Sequence, residues 1–373
     1  MLGAAVIASA LVFLSTGSPG PGLDPDSMAY MGAATSLVQH GRMRVPTAEW
    51  ERADSTSALS LWPPGFPSAI AVPVFFGASP VQSARWINVV TAAVAAATIV
   101  LLISGPLGIP AGVIGVVAIF ATQSVFDTYI SVLSEPLFIA LMLLLLYTMV
   151  YARDRLILMG VLATATVMVR YAGAFAPAAA VIWTLFDSQH DLRTRVRRSI
   201  TVALLPFVAL ALWFTRTALA PDRHATPKIN VYGGWGDTII QARDTLAEWL
   251  APLLSDGTLQ RSLAWLLAIA VAVFVIMAAS DTSGNRLKQL RVGGVSALLG
   301  ATSLLGACYV VVIVASRAFV GGTIPFDWRI LAPLIVLIEI EIVTAIGYWW
   351  RAYHFPVHVA IAVVALVWLG AAA

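Results

Sequence analysis

Long apolar runs, separated by short polar or arginine-bearing connections, fill most of the chain. A bilayer crossing needs about 20 apolar residues. Runs of that kind predict spans near 1–15, 108–123, 134–151, 200–219, 262–279, 294–316, 330–348 and 356–372. The 31 residues from Leu156 to Phe186 lie between two arginine-rich connections and must leave that side and return. They predict two short helices meeting at Arg170-Tyr171-Ala172-Gly173. The stretch 66–103 reads as two apolar helices broken around Gly77 to Gln82, yet its flanks leave room for one net crossing. One helix is then re-entrant, or a neighbouring span runs the other way. Met1 to Ser15 lacks a basic leader and reads as a first, short span rather than a cleaved signal.

The polar stretches are 17–65, 220–261 and 317–329. In the first, Asp26 and Ser27 suit a helix cap and Gly41 suits a stop. Between them Tyr30, Ala33, Ala34, Leu37 and Val38 share one stripe, which predicts a short amphipathic helix along the membrane surface.

Composition fixes the class. The chain has 373 residues, 60% of them hydrophobic, with 11% charged and a mean hydropathy of +0.88. Soluble domains carry charge at about a quarter of positions. The expectation is an all-α polytopic membrane protein: one transmembrane domain over residues 1–373 with about eleven or twelve transmembrane helices. That excludes a soluble enzyme, a disordered chain, a coiled coil and a single-anchor receptor. One cysteine, Cys308, excludes a disulfide framework and a cysteine-based metal site. A net charge of +3 is too small to argue for nucleic acid. Arginines cluster at Arg153 to Arg155, Arg193 to Arg198, Arg286 to Arg291 and Arg351, and the positive-inside rule makes those connections cytoplasmic. The loops 17–65 and 220–261 then face outward.

Four arginines break this rule. Arg170, Arg216, Arg317 and Arg329 fall near the outer ends of spans. An arginine at mid-helix costs about 2.5–3.5 kcal/mol, less at the interface. Any one of them can snorkel; four together, facing a carboxylate-bearing loop, point to an anionic site such as a phosphate. Asp327, beside Arg329, offers a local ion pair instead. Asp24 and Asp26 flank Pro25, with Tyr30 one turn beyond Asp26. Asp26 reads either as a helix cap or as a general base. Trp62-Pro63-Pro64-Gly65-Phe66-Pro67 is a stiff turn carrying aromatic anchors, and Ser134-Glu135-Pro136 suits a helix start. Glu339 and Glu341 lie inside a span but point about 200° apart, so they do not share a ligand. His354 and His358 are interrupted by Pro356, which disfavours a metal site there. No Gly-rich phosphate loop, nucleotide motif or H-E-x-x-H occurs.

Taken in order, six stretches resemble the GT-C glycosyltransferases, in the branch of protein O-mannosyltransferases and aminoarabinose transferases. They are Asp24-Pro25-Asp26-Ser27-Met28-Ala29-Tyr30, Trp62-Pro63-Pro64-Gly65-Phe66-Pro67, Arg85-Trp86-Ile87-Asn88, Ser134-Glu135-Pro136-Leu137-Phe138, Arg170-Tyr171-Ala172-Gly173 and Arg329-Ile330-Leu331-Ala332-Pro333. The resemblance implies an inverting enzyme in a bacterial or archaeal cell membrane, working on the extracytoplasmic face. Its donor would be a polyprenyl-phosphate sugar held among membrane lipids, and its acceptor an unidentified hydroxyl. It implies a catalytic aspartate in the first outer loop, matched by Asp26 with Asp24 as runner-up; Ser27 stands where relatives often carry a second acid. Arg170, Arg329, Arg216 and Arg317, with Tyr171, Tyr30, Glu135 and Trp62, would surround the donor phosphate. No cofactor is expected, although some branches use a divalent cation. A transporter or flippase for a lipid-linked or anionic solute, and a non-catalytic scaffold, are the competing readings. A transporter would carry inverted repeats with broken helices at midplane, and no repeat is visible here.

Overall fold

Proline, glycine and capping side chains set where each apolar run starts and stops. The computed structural model describes residues 1–46, 55–220, 230–250, 293–321 and 324–352, with scattered positions from 257 to 273. Helix α1 is Leu2–Ser15. Helix α2, Pro25–His40, begins with Pro25 at its first position, where the missing N–H costs nothing, and ends at Gly41, whose φ of 64° only glycine adopts readily. Asp24, not Asp26, is its N-cap residue, and the Asp24 N–H donates to Ser27 Oγ at 2.9 Å. The cap expected of Asp26 therefore falls two residues earlier, which leaves the Asp26 carboxylate free for other partners. Strands β1 (Arg44–Pro46) and β2 (Thr56–Ala58) pair antiparallel beneath α2.

Helix α3, Gly65–Phe75, is followed by α4, Pro80–Leu107. At 1.5 Å per residue α3 is about 16 Å long, roughly half a bilayer. It is too short to cross a bilayer, whereas α4 is long and apolar enough to do so. Near its start, Arg85 donates to Phe13 O and Thr16 Oγ1 at the end of α1; near its finish, Tyr151 Oη donates to Leu102 O and Arg351 to Pro106 O and Leu107 O. Helices α5 (Ile109–Ala121) and α6 (Gln123–Ile130) meet at a 72° bend. Then come α7 (Glu135–Tyr151), α8 (Leu156–Val169), a 3₁₀ turn (Tyr171–Ala174), α9 (Phe175–Leu185) and α10 (Leu192–Leu219). The expected pair of short helices thus meets at Arg170. Helix α11 (Trp235–Leu250) lies inside the stretch read as an outer loop, and α12 (Gly293–Phe319) and α13 (Trp328–Ala352) complete the described bundle.

Among the described residues, four helices (α4, α10, α12 and α13) are long and apolar enough to cross a membrane, or five if the bent α5–α6 pair counts as one. Helices α1, α3, α7 and α8 and the segment Tyr171–Leu185 are shorter and equally apolar. The molecule is a multi-pass helical membrane protein. One end carries residues 17–46 and 55–65, Arg170, the end of α12 and the start of α13; the other carries the arginine-rich connections at 153–155 and 193–198. The spans expected near 262–279 and 356–372, the connection from Arg286 to Arg291, and His354 and His358 lie outside the described residues.

Candidate functional site

A short segment before α7, residues 131–134, draws the site together. The Gly22 N–H donates to Ile130 O and the Val132 N–H to Gly22 O, both at 2.8 Å, so 22 and 131 pair as a parallel bridge. Gly22 permits this approach, because a Cβ there would lie 2.8 Å from Ser131 Oγ. Ser27 Oγ donates to Val132 O at 2.7 Å, and Asn88 Nδ2, fully buried on α4, donates to Tyr129 O at 2.9 Å and Ser131 O at 2.7 Å. Buried backbone groups must find partners, and here those partners come from α2 and α4. The consequence is that the start of α2, carrying Asp24 and Asp26, sits beside the start of α7, carrying Glu135.

Two arginines join these acids. Glu135 is fully buried, and Arg170 Nη1 lies 2.6 Å from its Oε1. Arg329, on the first turn of α13, donates from Nε to the same Oε1 at 3.3 Å and from Nη2 to Asp26 Oδ2 at 2.9 Å. Its Nη1 lies 3.9 Å from Asp24 Oδ1. Arg170 Nη1 also donates to Ser134 Oγ at 2.9 Å, and Tyr30 Oη lies 3.4 Å from that hydroxyl. Tyr30 packs edge-on to Phe66 and Trp62, which closes one flank. Burial works against the Arg170 charge, but Glu135, Tyr30, Tyr309 and Asp26 together hold it above its usual range. Burial pushes the Tyr30 phenol up, against the pull of Arg170, so it stays neutral at ordinary pH.

The cluster is graded in exposure. Glu135 is 0% exposed, the Arg170 and Arg329 side chains 15% and 18%, and the Asp24 and Asp26 side chains 31% each. The aspartates form its open edge, and Glu135 its floor. Among the described residues no three His, Cys, Asp or Glu side chains gather as metal ligands would. The guanidiniums of Arg170 and Arg329 lie between these carboxylates.

The other outward arginines are placed elsewhere. Arg216 donates to the carbonyls of Leu59 and Met43 and stacks on Trp213, holding the β1–β2 hairpin to α10. Arg317, 3% exposed, donates to Thr238 Oγ1 at 3.0 Å and to the Gly233 and Gly234 carbonyls at 3.1 and 3.0 Å, and stacks on Trp235. It pins the approach to α11 onto the end of α12. Tyr171 Oη donates to Ser60 O and accepts from Trp213 Nε1, so it too braces the loop. Of the residues singled out in the sequence, Asp24, Asp26, Tyr30, Trp62, Glu135, Arg170 and Arg329 come together, while Tyr171, Arg216 and Arg317 bind loop backbone and side chains.

Glu339 and Glu341 face opposite ways, as their spacing requires. Glu339 Oε1 accepts from Thr122 Oγ1 at 2.5 Å and Trp249 Nε1 at 3.1 Å, tying the α5–α6 bend and α11 to α13; Glu341 Oε1 accepts from Ser303 Oγ on α12 at 2.6 Å. Sequence reasoning missed three contributors. Ser134 is the N-cap residue of α7 but makes no side-chain cap bond; its hydroxyl oxygen accepts from Arg170 Nη1. Asn88 carries a positioning role within a stretch quoted only for its resemblance. Tyr309, buried in an apolar run, stacks edge-on to Phe175 and donates to Ile330 O at 2.6 Å, one residue beyond Arg329; nothing in its surroundings signals this.

No protein-family model matches the sequence, and no curated protein matches it either. Two solved structures share the fold. One is ArnT from Cupriavidus metallidurans bound to undecaprenyl phosphate, with 14% identity and a TM-score of 0.56, over 92% of this chain and 59% of that one. The other is the arabinofuranosyltransferase AftD from Mycobacteria, with 17% identity and a TM-score of 0.52, over 99% of this chain and 27% of that one. The chain therefore spans less than two thirds of the length of either. The architecture is the helical membrane fold of these two structures.

Proposed function

We propose that the chain is a glycosyltransferase of the GT-C type, moving a sugar from a polyprenyl-phosphate donor to an acceptor hydroxyl. The observation that carries this reading is the Asp26–Arg329–Glu135–Arg170 chain of charges, built from α2, α7, the junction of α8 with the 3₁₀ turn, and α13. It supplies an accessible carboxylate beside guanidiniums suited to phosphate. The site lies at the end opposite the arginine-rich connections, which the positive-inside rule assigns to the extracytoplasmic face. A polyprenyl tail lies in the bilayer, and its phosphate meets the cluster where the spans end. ArnT, one of the fold relatives, binds undecaprenyl phosphate, which is such a lipid.

The acceptor oxygen attacks the sugar C1 while its proton passes to Asp26, and the bond from C1 to the phosphate oxygen breaks. The leaving polyprenyl phosphate gains one negative charge. Arg329, on the open side, stabilises that charge as it grows, where such stabilisation is most effective. Arg170 stays with Glu135 and fixes the floor against which Arg329 rests. Attack opposite the leaving group inverts C1.

The test is transfer by purified protein in lipid nanodiscs, supplied with radiolabelled polyprenyl-phosphate sugars and a panel of hydroxyl acceptors. Labelled product is expected, and Asp26→Asn lowers the rate by about 10²- to 10⁴-fold, the range for losing a general base. Undiminished transfer by Asp26→Asn refutes the base assignment. Absence of transfer from every donor refutes the reaction.

A further inference from the structure

Arg329 is the most contested group in the cluster. A guanidinium grips a phosphate through one of its two flat N–H edges. On the Nε/Nη2 edge, Nε meets Glu135 and Nη2 meets Asp26; on the Nη1/Nη2 edge, the neighbours are Asp24 and again Asp26. Asp26 thus engages Nη2, the nitrogen that both edges share. A phosphate that grips either edge must share Nη2 with Asp26 or take it over.

The two carboxylates that hold Arg329 tightly are not equally replaceable. Glu135 is fully buried and keeps Arg170 as a second partner at 2.6 Å. Pulling Arg329 from Glu135 would mean reorganising the floor. Asp26 is 31% exposed, and every ion pair described for it is with Arg329. Its release costs a part-exposed pair, and water can take over. Three carboxylates (Asp24, Asp26, Glu135) against two guanidiniums leave the cluster with one excess negative charge. An anion therefore enters only by taking over an existing partner.

From this we propose that Arg329 is an exchange residue: the lipid phosphate displaces Asp26 from it, so that donor binding itself releases the base. The proposal rests on the glycosyltransfer reading and adds an order of events to it. Before the donor arrives, Asp26 Oδ2 accepts from Arg329 Nη2 and is not free to take the proton of an acceptor hydroxyl. With the phosphate in place, Arg329 turns to the leaving group and Asp26 Oδ2 is free to accept the proton. One movement arms both ends of the reaction, and a water or acceptor arriving before the donor meets an engaged carboxylate.

The signature is a gain of affinity, which a misfolded variant does not give. The probe is undecaprenyl monophosphate, titrated into nanodiscs holding the full chain, with EDTA present so that no divalent ion bridges the groups. Asp26→Asn removes the competitor and tightens Kd by about fivefold or more, while Arg329→Gln loosens it by about tenfold or more. In the Arg329→Gln background, adding Asp26→Asn changes Kd by less than about twofold, because nothing remains to compete for. A weaker or unchanged Kd in Asp26→Asn overturns the exchange. So does a gain that persists undiminished in the Arg329→Gln background, since relief of charge repulsion alone then explains it. Lack of saturable binding by the native chain sinks the phosphate-site reading as well, and so separates the two failures.

Discussion

Arg170 and Arg329 hold carboxylates; Arg216 and Arg317 hold carbonyls. All four sit where helices begin or end on one side of the bundle, and their placement in the sequence looks alike. The difference lies in charge. A guanidinium among carbonyl dipoles is a strap: it satisfies backbone oxygens that a loop would otherwise leave unpaired. A guanidinium among carboxylates is half of an electrostatic balance that a third charge can tip. Ligand chemistry belongs with the second kind, and shape with the first.

The largest effect expected is at Glu135. Glu135→Ala leaves the Arg170 guanidinium buried without its partner and removes the rest on which Arg329 leans. Breaking one side of a buried pair costs about 3–5 kcal/mol. Thermal and denaturant unfolding in detergent should show that loss, and transfer should vanish with it. The sharper version removes both partners. Glu135→Leu combined with Arg170→Met recovers most of the stability, since a well-packed apolar pair replaces an ion pair at little cost, but transfer stays absent. Recovery of transfer along with stability would make this pair a structural brace, no different in kind from the Arg317 contacts.

Arg317 comes next. Its hydrogen bonds reach Thr238, Gly233 and Gly234 while its plane stacks on Trp235. A lysine supplies a point charge and cannot span those acceptors while stacking. Arg317→Lys should cost about 1–3 kcal/mol, the range for leaving buried polar groups unsatisfied. Hydrogen exchange over residues 230–238 should speed up, while undecaprenyl monophosphate affinity stays within about twofold of native, because no cluster carboxylate loses a partner. A tenfold or larger drop in that affinity with unchanged exchange would move Arg317 into the phosphate-facing group, as its outward position suggests from sequence alone.

The helices are legible in the sequence because membrane burial demands long apolar runs, and prolines and glycines mark their ends. The break at Arg170 follows from counting residues between two charged connections. Helix α3 is harder: its composition matches a span, and only its length, set by Pro64 before it and Gly77 after it, prevents one. Within the site, Asp26, Glu135, Arg170 and Arg329 announce themselves as charges where apolar helices begin or end. Their pairing does not. Asp26 and Arg329 are 303 positions apart, and no local pattern reports that distance. Asn88 and Tyr309 are quieter still, since a single neutral polar group in an apolar run looks the same whether it clamps a backbone or faces lipid. Arg216 and Arg317 carry the same signal as the cluster arginines because sequence records the charge and not the partner.

Arg216 sharpens the comparison at its mild end. It is half-buried, donates to the Leu59 and Met43 carbonyls and stacks on Trp213, so it fastens the hairpin that leads into the Trp62 turn. Tyr171 fastens the same loop through Ser60, so one strap can fail without freeing it. Arg216→Lys keeps the charge at the membrane surface and loses the forked contact. Part-exposed contacts of this kind are worth about 0.2–1 kcal/mol, so the melting temperature should fall by only a few degrees. Transfer should stay within about threefold of native, since less than 1 kcal/mol of the barrier is at stake. Combining Arg216→Lys with Tyr171→Phe should cost more than the sum of the two, because each brace then loses its reserve. If the pair proves merely additive, the hairpin is held by other means. If Arg216→Lys alone abolishes transfer while the fold stays intact, carbonyl-holding and carboxylate-holding arginines do not divide the labour as their partners suggest.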